Sequence, residues 1–105
     1  MAPVTCFLTY EVKPERLAEF EAYGPKWITL INAFGGQHHG YFLPSEGASD
    51  LAYALFTFPS LADYERYREQ SMADPVCQDL FREVPDLIHR YDRTFLKPVL
   101  NGLET

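Results

Sequence analysis

The chain reads as an α+β domain of the ferredoxin-like βαββαβ type, a four-stranded antiparallel sheet with two helices on one face. Three observations predict it. Strand-like runs and amphipathic segments follow one another as strand, helix, strand, strand, helix, strand, two half-units of one kind end to end. The third strand-like run, 51–58, is apolar at almost every position, as a central strand covered on both faces should be. The length of 105 residues, 47% of them hydrophobic, gives room for a single domain, 1–105, with one modest core.

The elements follow in order. Thr5 to Val12 alternates, with Cys6, Leu8, Tyr10 and Val12 facing one way; Phe7 on the other side suggests that this second face is also partly covered. Lys13-Pro14 stops the strand, and Pro14 suits a first helical position, where its missing N–H has no partner to lose. The helix then shows Leu17, Phe20, Tyr23, Trp27, Leu30, Ile31 and Phe34 at gaps of three and four. Pro25, after Gly24, predicts a kink or break. Gly35-Gly36 ends the helix, one of the two in a left-handed conformation. Gln37 to Leu43 is the second strand and Leu51 to Phe58 the third. Ser60-Leu61-Ala62-Asp63 opens the next helix as a capping box with Asp in place of Glu, and Leu61, Tyr64, Tyr67 and Met72 continue its apolar face. Asp74-Pro75 restarts a helix, with Val76, Leu80, Phe81 and Val84 on its face and Pro85 at its end. His89 to Lys97 is the last strand, and a short tail follows from Pro98.

Bulk properties exclude several classes. A net charge of −6 with no basic stripe argues against nucleic-acid binding. No apolar run approaches the roughly 18 residues that a membrane span needs. Met1-Ala2-Pro3-Val4 has neither a charged nor an apolar leader segment, and Cys6 and Cys77 lack metal spacing and read as two reduced, buried thiols. These features describe a cytoplasmic protein with no metal and no cofactor.

Several stretches resemble the NIPSNAP family: Thr9-Tyr10-Glu11-Val12-Lys13-Pro14 with Leu17 and Phe20 behind it; Gly40-Tyr41-Phe42; Phe58-Pro59-Ser60-Leu61-Ala62-Asp63; and Ala73-Asp74-Pro75 followed by Phe81. They span roughly residues 4 to 98. Cys77 stands where family members often carry an aromatic. The resemblance implies a dimeric ferredoxin-like α/β barrel and a homodimer, and no agreed reaction. Such folds are also similar to antibiotic-biosynthesis monooxygenases, which oxygenate without metal or cofactor in a pocket beside the sheet.

A dimer also follows from the residues. Two helices cover one sheet face; the other, with Phe7, aromatics of the third strand and Phe95 or Tyr91, would be a large apolar patch. Monomers rarely expose more than about 300–600 Å² in one patch. Two copies joined about a two-fold axis bury both faces.

Three constellations are candidates for chemistry. His38 and His39, followed by Tyr41, sit next to each other on a strand, so they point to opposite faces and cannot share a metal within one chain. A third ligand would have to come from His89 or Glu11, and the spacing indicates none. A histidine in a pocket suits acid or base work, because a free imidazole titrates near neutrality; the plainer reading is a surface or hydrogen-bonded histidine at a strand start. Trp27, Asn32, Tyr64 and Tyr67 form the second set. Trp27 and Tyr64 lie on sheet-facing stripes, so they either line a cavity or simply pack, and Asn32 either joins them or caps the helix end. Arg90, Asp92 and Arg93, with Glu11, form the third. The sheet order 4-1-3-2 makes first and last strands neighbours, so an Arg–Glu cross-strand pair is expected, or an anion site at Arg90. Phosphate loops and nucleophile elbows are missing from the sequence.

Two functions fit. One is a binding or interaction module. The other is a small oxygenase-like or isomerase-like enzyme acting on an apolar or aromatic compound, with Trp27, Tyr64 and Tyr67 shaping the pocket and His38 or His39 moving protons. A cavity between helices and sheet, with a histidine or a tyrosine hydroxyl in it, separates the second from a merely packed core.

Overall fold

The computed structural model describes residues 2–99; the tail beyond Val99 lies outside them. Strand β1 (Val4–Val12) leads through a 3-10 turn (Pro14–Arg16) into α1 (Leu17–Ala33). Strands β2 (Gln37–Phe42) and β3 (Leu51–Phe58) follow, then α2 (Leu61–Ala73), α3 (Pro75–Leu87) and β4 (Ile88–Leu96). The sheet order is β2-β3-β1-β4, every pair antiparallel. This is the predicted ferredoxin-like order, with the second helix delivered in two pieces.

Local chemistry explains the boundaries. Gly35 takes φ 96° after α1. The Gly36 N–H donates to the Ile31 carbonyl at 2.9 Å and the Gly35 N–H to Asn32 at 3.3 Å, so two carbonyls at the helix end are satisfied. Ser60 Oγ accepts from the Asp63 N–H at 3.1 Å and donates to Asp63 Oδ2 at 2.8 Å. Asp74 Oδ2 accepts from the Cys77 N–H at 2.9 Å, which starts α3 with Pro75 in its first position.

Neither internal proline ends its helix. Helix α1 runs unbroken through Pro25. The residue before it is Gly24, which has no Cβ to clash with the proline ring. Pro25 itself is exposed, so the carbonyl it leaves unpaired has water within reach. Helix α3 likewise continues past Pro85 to Leu87, because a proline in the last turn forfeits one bond only. The buried faces of α2 and α3 are also shifted. Met72, Leu61 and Val76 are exposed, while Ser71 and Cys77 are fully buried. Ser71 lies four residues after Tyr67, on the same helical face, and its hydroxyl donates to the Arg68 carbonyl at 3.0 Å.

The core lies between the helices and one sheet face. Cys6, Leu8, Tyr10 and Val12 of β1 meet Ala52, Ala54, Phe56 and Phe58 of β3 and the stripe Phe20, Tyr23, Trp27 and Ile31 of α1. Phe58 is 1% exposed and stacks 5.1 Å from Tyr67. Small Ala52 and Ala54 leave room above the sheet for large rings from the helices.

Gly24 serves packing as well as backbone. A Cβ there would sit 2.9 Å from Tyr41 Cδ1 and 3.0 Å from Cγ, the anchored end of the ring. Gly24→Ala overpacks at a cost of about 1–3 kcal/mol, and before Pro25 its Cβ forfeits most of the usual helix-propensity gain. A net loss on the order of 1 kcal/mol is expected from urea unfolding; a gain in stability would contradict the packing role.

The other sheet face has no helix. Phe7 stacks on Tyr53 at 5.6 Å with ring planes 7° apart. The registers put Phe42, Leu55 and Leu96 on this face too. Phe95 and Tyr91, expected here, are on the helix side instead. They pair with Cys6 and Tyr10, and Phe95 packs edge-on against Tyr64 at 5.0 Å.

A tyrosine-lined candidate site between helices and sheet

A cavity of about 220 Å³ opens between the helices and the sheet. Tyr10 and Leu8 of β1 and Tyr41 of β2 form part of its floor. Helix α1 supplies Tyr23 and Trp27, α2 supplies Tyr64, Tyr67 and Arg68, and β4 adds Tyr91 and Arg93. Of the residues proposed from sequence, Trp27, Tyr41, Tyr64 and Tyr67 converge here. His38, His39, Asn32 and Arg90 do not line it.

Burial decides the protonation of the phenols. Tyr10, Tyr41, Tyr64 and Tyr67 are all pushed above the ordinary tyrosine value, mainly because a buried phenolate loses its water. Tyr23 is raised to about 12 for the same reason. These five hydroxyls are therefore neutral O–H groups at physiological pH, able to donate hydrogen bonds. One is already committed: Trp27 Nε1 donates to Tyr23 Oη at 2.8 Å, and Tyr23 donates on to the Leu80 carbonyl at 3.1 Å. That relay fixes the indole, which also packs 5.1 Å from Phe81.

The two histidines occupy opposite faces. His38 pairs with Phe56 and stacks on Tyr41 at 5.0 Å, on the helix side. Its Nδ1 accepts from the Gly40 N–H at 2.9 Å, which assigns the ring proton to Nε2. That nitrogen is buried with no partner. Burial lowers the His38 pKa to about 4, so the ring is neutral and its one basic nitrogen is occupied. His39 lies in a β-bulge between His38 and Gly40, where Gly40 takes φ 112°. Its Nε2 is 2.7 Å from Thr57 Oγ1, which is 2.7 Å from Thr5 Oγ1, a chain across three strands of the open face.

The remaining candidates stand outside the cavity. Asn32 Oδ1 accepts from the His38 N–H at 2.9 Å, tying the end of α1 to β2. Arg90 is opposite Glu11 in register, yet its ion pair is with Asp92 on its own strand. Both cysteines are buried thiols raised to about 11 by burial. Among the described residues no three of the His, Cys, Asp and Glu side chains gather as a metal site would need.

Sequence reasoning missed Tyr10, Tyr23, Arg68 and Tyr91 as cavity residues, and placed Arg93 in an ion pair. Tyr23 was legible as the residue four before Trp27. Arg93 stands between Tyr91 and Phe95 at period-two spacing, which marks it as sharing their face.

Comparison with known proteins agrees with this geometry. The NIPSNAP family profile matches residues 5–100. The chain belongs to the NIPSNAP family. An uncharacterized NIPSNAP-like domain protein from Burkholderia xenovorans is 22% identical, with TM-score 0.81, 99% of this chain covered and 90% of that one. A NIPSNAP family protein from Agrobacterium tumefaciens is 18% identical, with TM-score 0.82 and coverages of 96% and 90%. A putative antibiotic biosynthesis monooxygenase from Bacteroides thetaiotaomicron is 17% identical, with TM-score 0.70 and coverages of 99% and 96%. At such identities the likeness speaks for the fold alone. Curated proteins yield no match. No helix among the described residues is long and apolar enough to cross a membrane.

Proposed function

We propose that this NIPSNAP chain is a single-domain, cytoplasmic binding module that pairs with a second copy through its open sheet face and holds a small apolar or aromatic compound in the tyrosine-lined cavity. The cavity carries the reading. A core packed for stability alone would fill the space beneath Trp27 and Tyr64, since interiors leave few voids larger than a water molecule. Pockets for small molecules are instead aromatic-walled with a few polar groups, as here. The dimer is supported by Phe7, Tyr53, Leu55 and Phe42 on a face that no helix covers; Phe42 is 53% exposed.

A second reading is a cofactor-independent oxygenase-like or isomerase-like enzyme, favoured by the structural likeness to the putative monooxygenase. In it, phenol hydroxyls such as that of Tyr64 would orient the substrate. His38 and His39 would not be its proton carriers, the first because Nδ1 is occupied, the second because it faces the other side.

Light scattering should find a species of twice 12.1 kDa at micromolar concentration, reduced to 12.1 kDa by Leu55→Asp. A wild-type monomer would refute the pairing. Trp27, the chain's single tryptophan, should change its fluorescence when phenylacetate or phenylacetamide is titrated in. No response to either would refute the cavity as a binding site.

A further inference from the structure

The six arginines of this acidic chain fall into two groups. Arg16, Arg66, Arg82 and Arg90 each pair with a carboxylate within a few residues, all on the surface. Arg68 and Arg93 pair with no carboxylate among the described residues, and both line the cavity. No Asp or Glu lines it with them. In a chain with nine basic and fifteen acidic residues, that is the reverse of the bulk balance. Arg93 is also half-buried, and its Nε is sequestered from water without a hydrogen-bond partner. A buried donor left unmade is costly, and the guanidinium that carries this one lines the cavity.

We infer that the cavity takes an anionic ligand, a carboxylate or phosphate on a small aromatic or apolar body, with the oxyanion held between Arg93 and Arg68. This rests on the cavity's being a binding site and names the class of compound it selects. The guanidinium fork matches two oxygens of such a head group, which a lone ammonium would not. Strand β4 aims Arg93 at the helix side because its register partner is Leu8, a core residue. Arg68 follows Tyr67 and lies four residues after Tyr64 on α2, so both phenols flank it. The neutral hydroxyls around the cavity can donate to the same oxygens without adding negative charge. The body of the ligand then lies against Trp27, Phe81 and Tyr91. A volume of about 220 Å³ falls below the roughly 300–1,000 Å³ of drug-sized sites, so one ring or a short chain is the right scale.

The test uses three probes that share a phenyl ring, phenylacetate, phenyl phosphate and the uncharged phenylacetamide, read by Trp27 fluorescence on the intact chain. At least one acid should bind about tenfold or more tighter than the amide, since a hydrogen bond to a charged group outweighs one to a neutral group by that order. The tighter of the two acids names the head group. Arg93→Gln and Arg68→Gln should each bring acid and amide to within about threefold, at one tenth to one hundredth of the original acid affinity. Equal binding of acids and amide by the wild type overturns the inference and leaves the cavity reading standing. This comparison needs no variant to fold. Binding of none of the three overturns both.

Discussion

Phe58→Ala should lose about 3–5 kcal/mol of stability, the range for removing a fully buried aromatic. Phe58 is 1% exposed and joins three elements. Its ring stacks on Tyr67 at 5.1 Å, meets Tyr64 edge-on at 6.0 Å, and abuts the turn after α1, where a Cβ on Gly36 would come within 2.8 Å of Phe58 Cζ. No single neighbour can collapse into the space, because the neighbours are held in two separate elements, α2 and the turn after α1. For a domain of this size each kcal/mol is worth about 4–8 °C, so the midpoint should fall by on the order of 20 °C. Urea unfolding should show a lower midpoint with an unchanged slope, since the fold and the area it buries stay the same. The Gly36 contact adds a control. Gly36→Ala in the wild type forces a Cβ to 2.8 Å from both the Phe58 ring and Ile31 Cγ2, whereas the same change beside Phe58→Leu keeps only the Ile31 clash in full and should cost less. A loss under about 2 kcal/mol for Phe58→Ala, or strict additivity with Gly36→Ala, would show that the turn does not pack against this ring.

Most of the fold could be read from local rules because those rules agree. The stripe from Leu17 to Phe34, the Ser60 and Asp74 caps, the Gly35-Gly36 stop and the two-faced third strand each point to the same architecture. The errors fall where a local rule is conditional. Proline breaks helices when its neighbour has a Cβ and its side faces the core; Gly24-Pro25 meets neither condition. Hydrophobicity puts Met72 on the buried face of α2, although position 71 has the right angular place. A small Ser that satisfies its own hydroxyl through the Arg68 carbonyl is a better fit to a crowded spot than a methionine.

The site was legible only in part, because its residues come from all four strands and helices that sequence cannot bring together. Trp27, Tyr64 and Tyr67 stood out as aromatics on predicted inner faces. Arg90 and Arg93 differ by three positions, and on a strand that odd spacing sends them to opposite sides. Choosing Arg90 as the anion candidate therefore selected the face where Asp92 neutralises it. The choice needed the register of β4 on β1, which depends on the irregularity between Glu11 and Val12. Nothing in the local sequence marks that bulge.

His38 gives the chain a pH dependence whose sign is fixed. Its folded pKa is about 4, against 6.5 when unfolded, with burial as the main cause and the adjacent His39 adding to it. Between these two values the unfolded chain binds a proton that the folded chain excludes. Stability from this group is thus fully present above pH 6.5, declines as pH falls through 6.5 towards 4, and is gone below about 4. His38 is only partly buried, so after solvent screening the difference is worth on the order of 1–2 kcal/mol. The structural reason is that an imidazolium would need two hydrogen-bond acceptors or water, while Nδ1 already accepts from Gly40 and Nε2 is enclosed by Tyr41 and Phe56 rings. His38→Asn isolates the effect, since its Oδ1 can accept from the same Gly40 N–H and does not titrate. The variant loses the ring stacking and should be less stable at pH 7. Its stability should fall less steeply than the wild type's between pH 6.5 and 4, so that the two urea-derived curves converge by on the order of 1–2 kcal/mol. Parallel curves over that interval would mean that protonated His38 is accommodated in the fold, and that its enclosure between β2 and the helices is looser than the geometry requires.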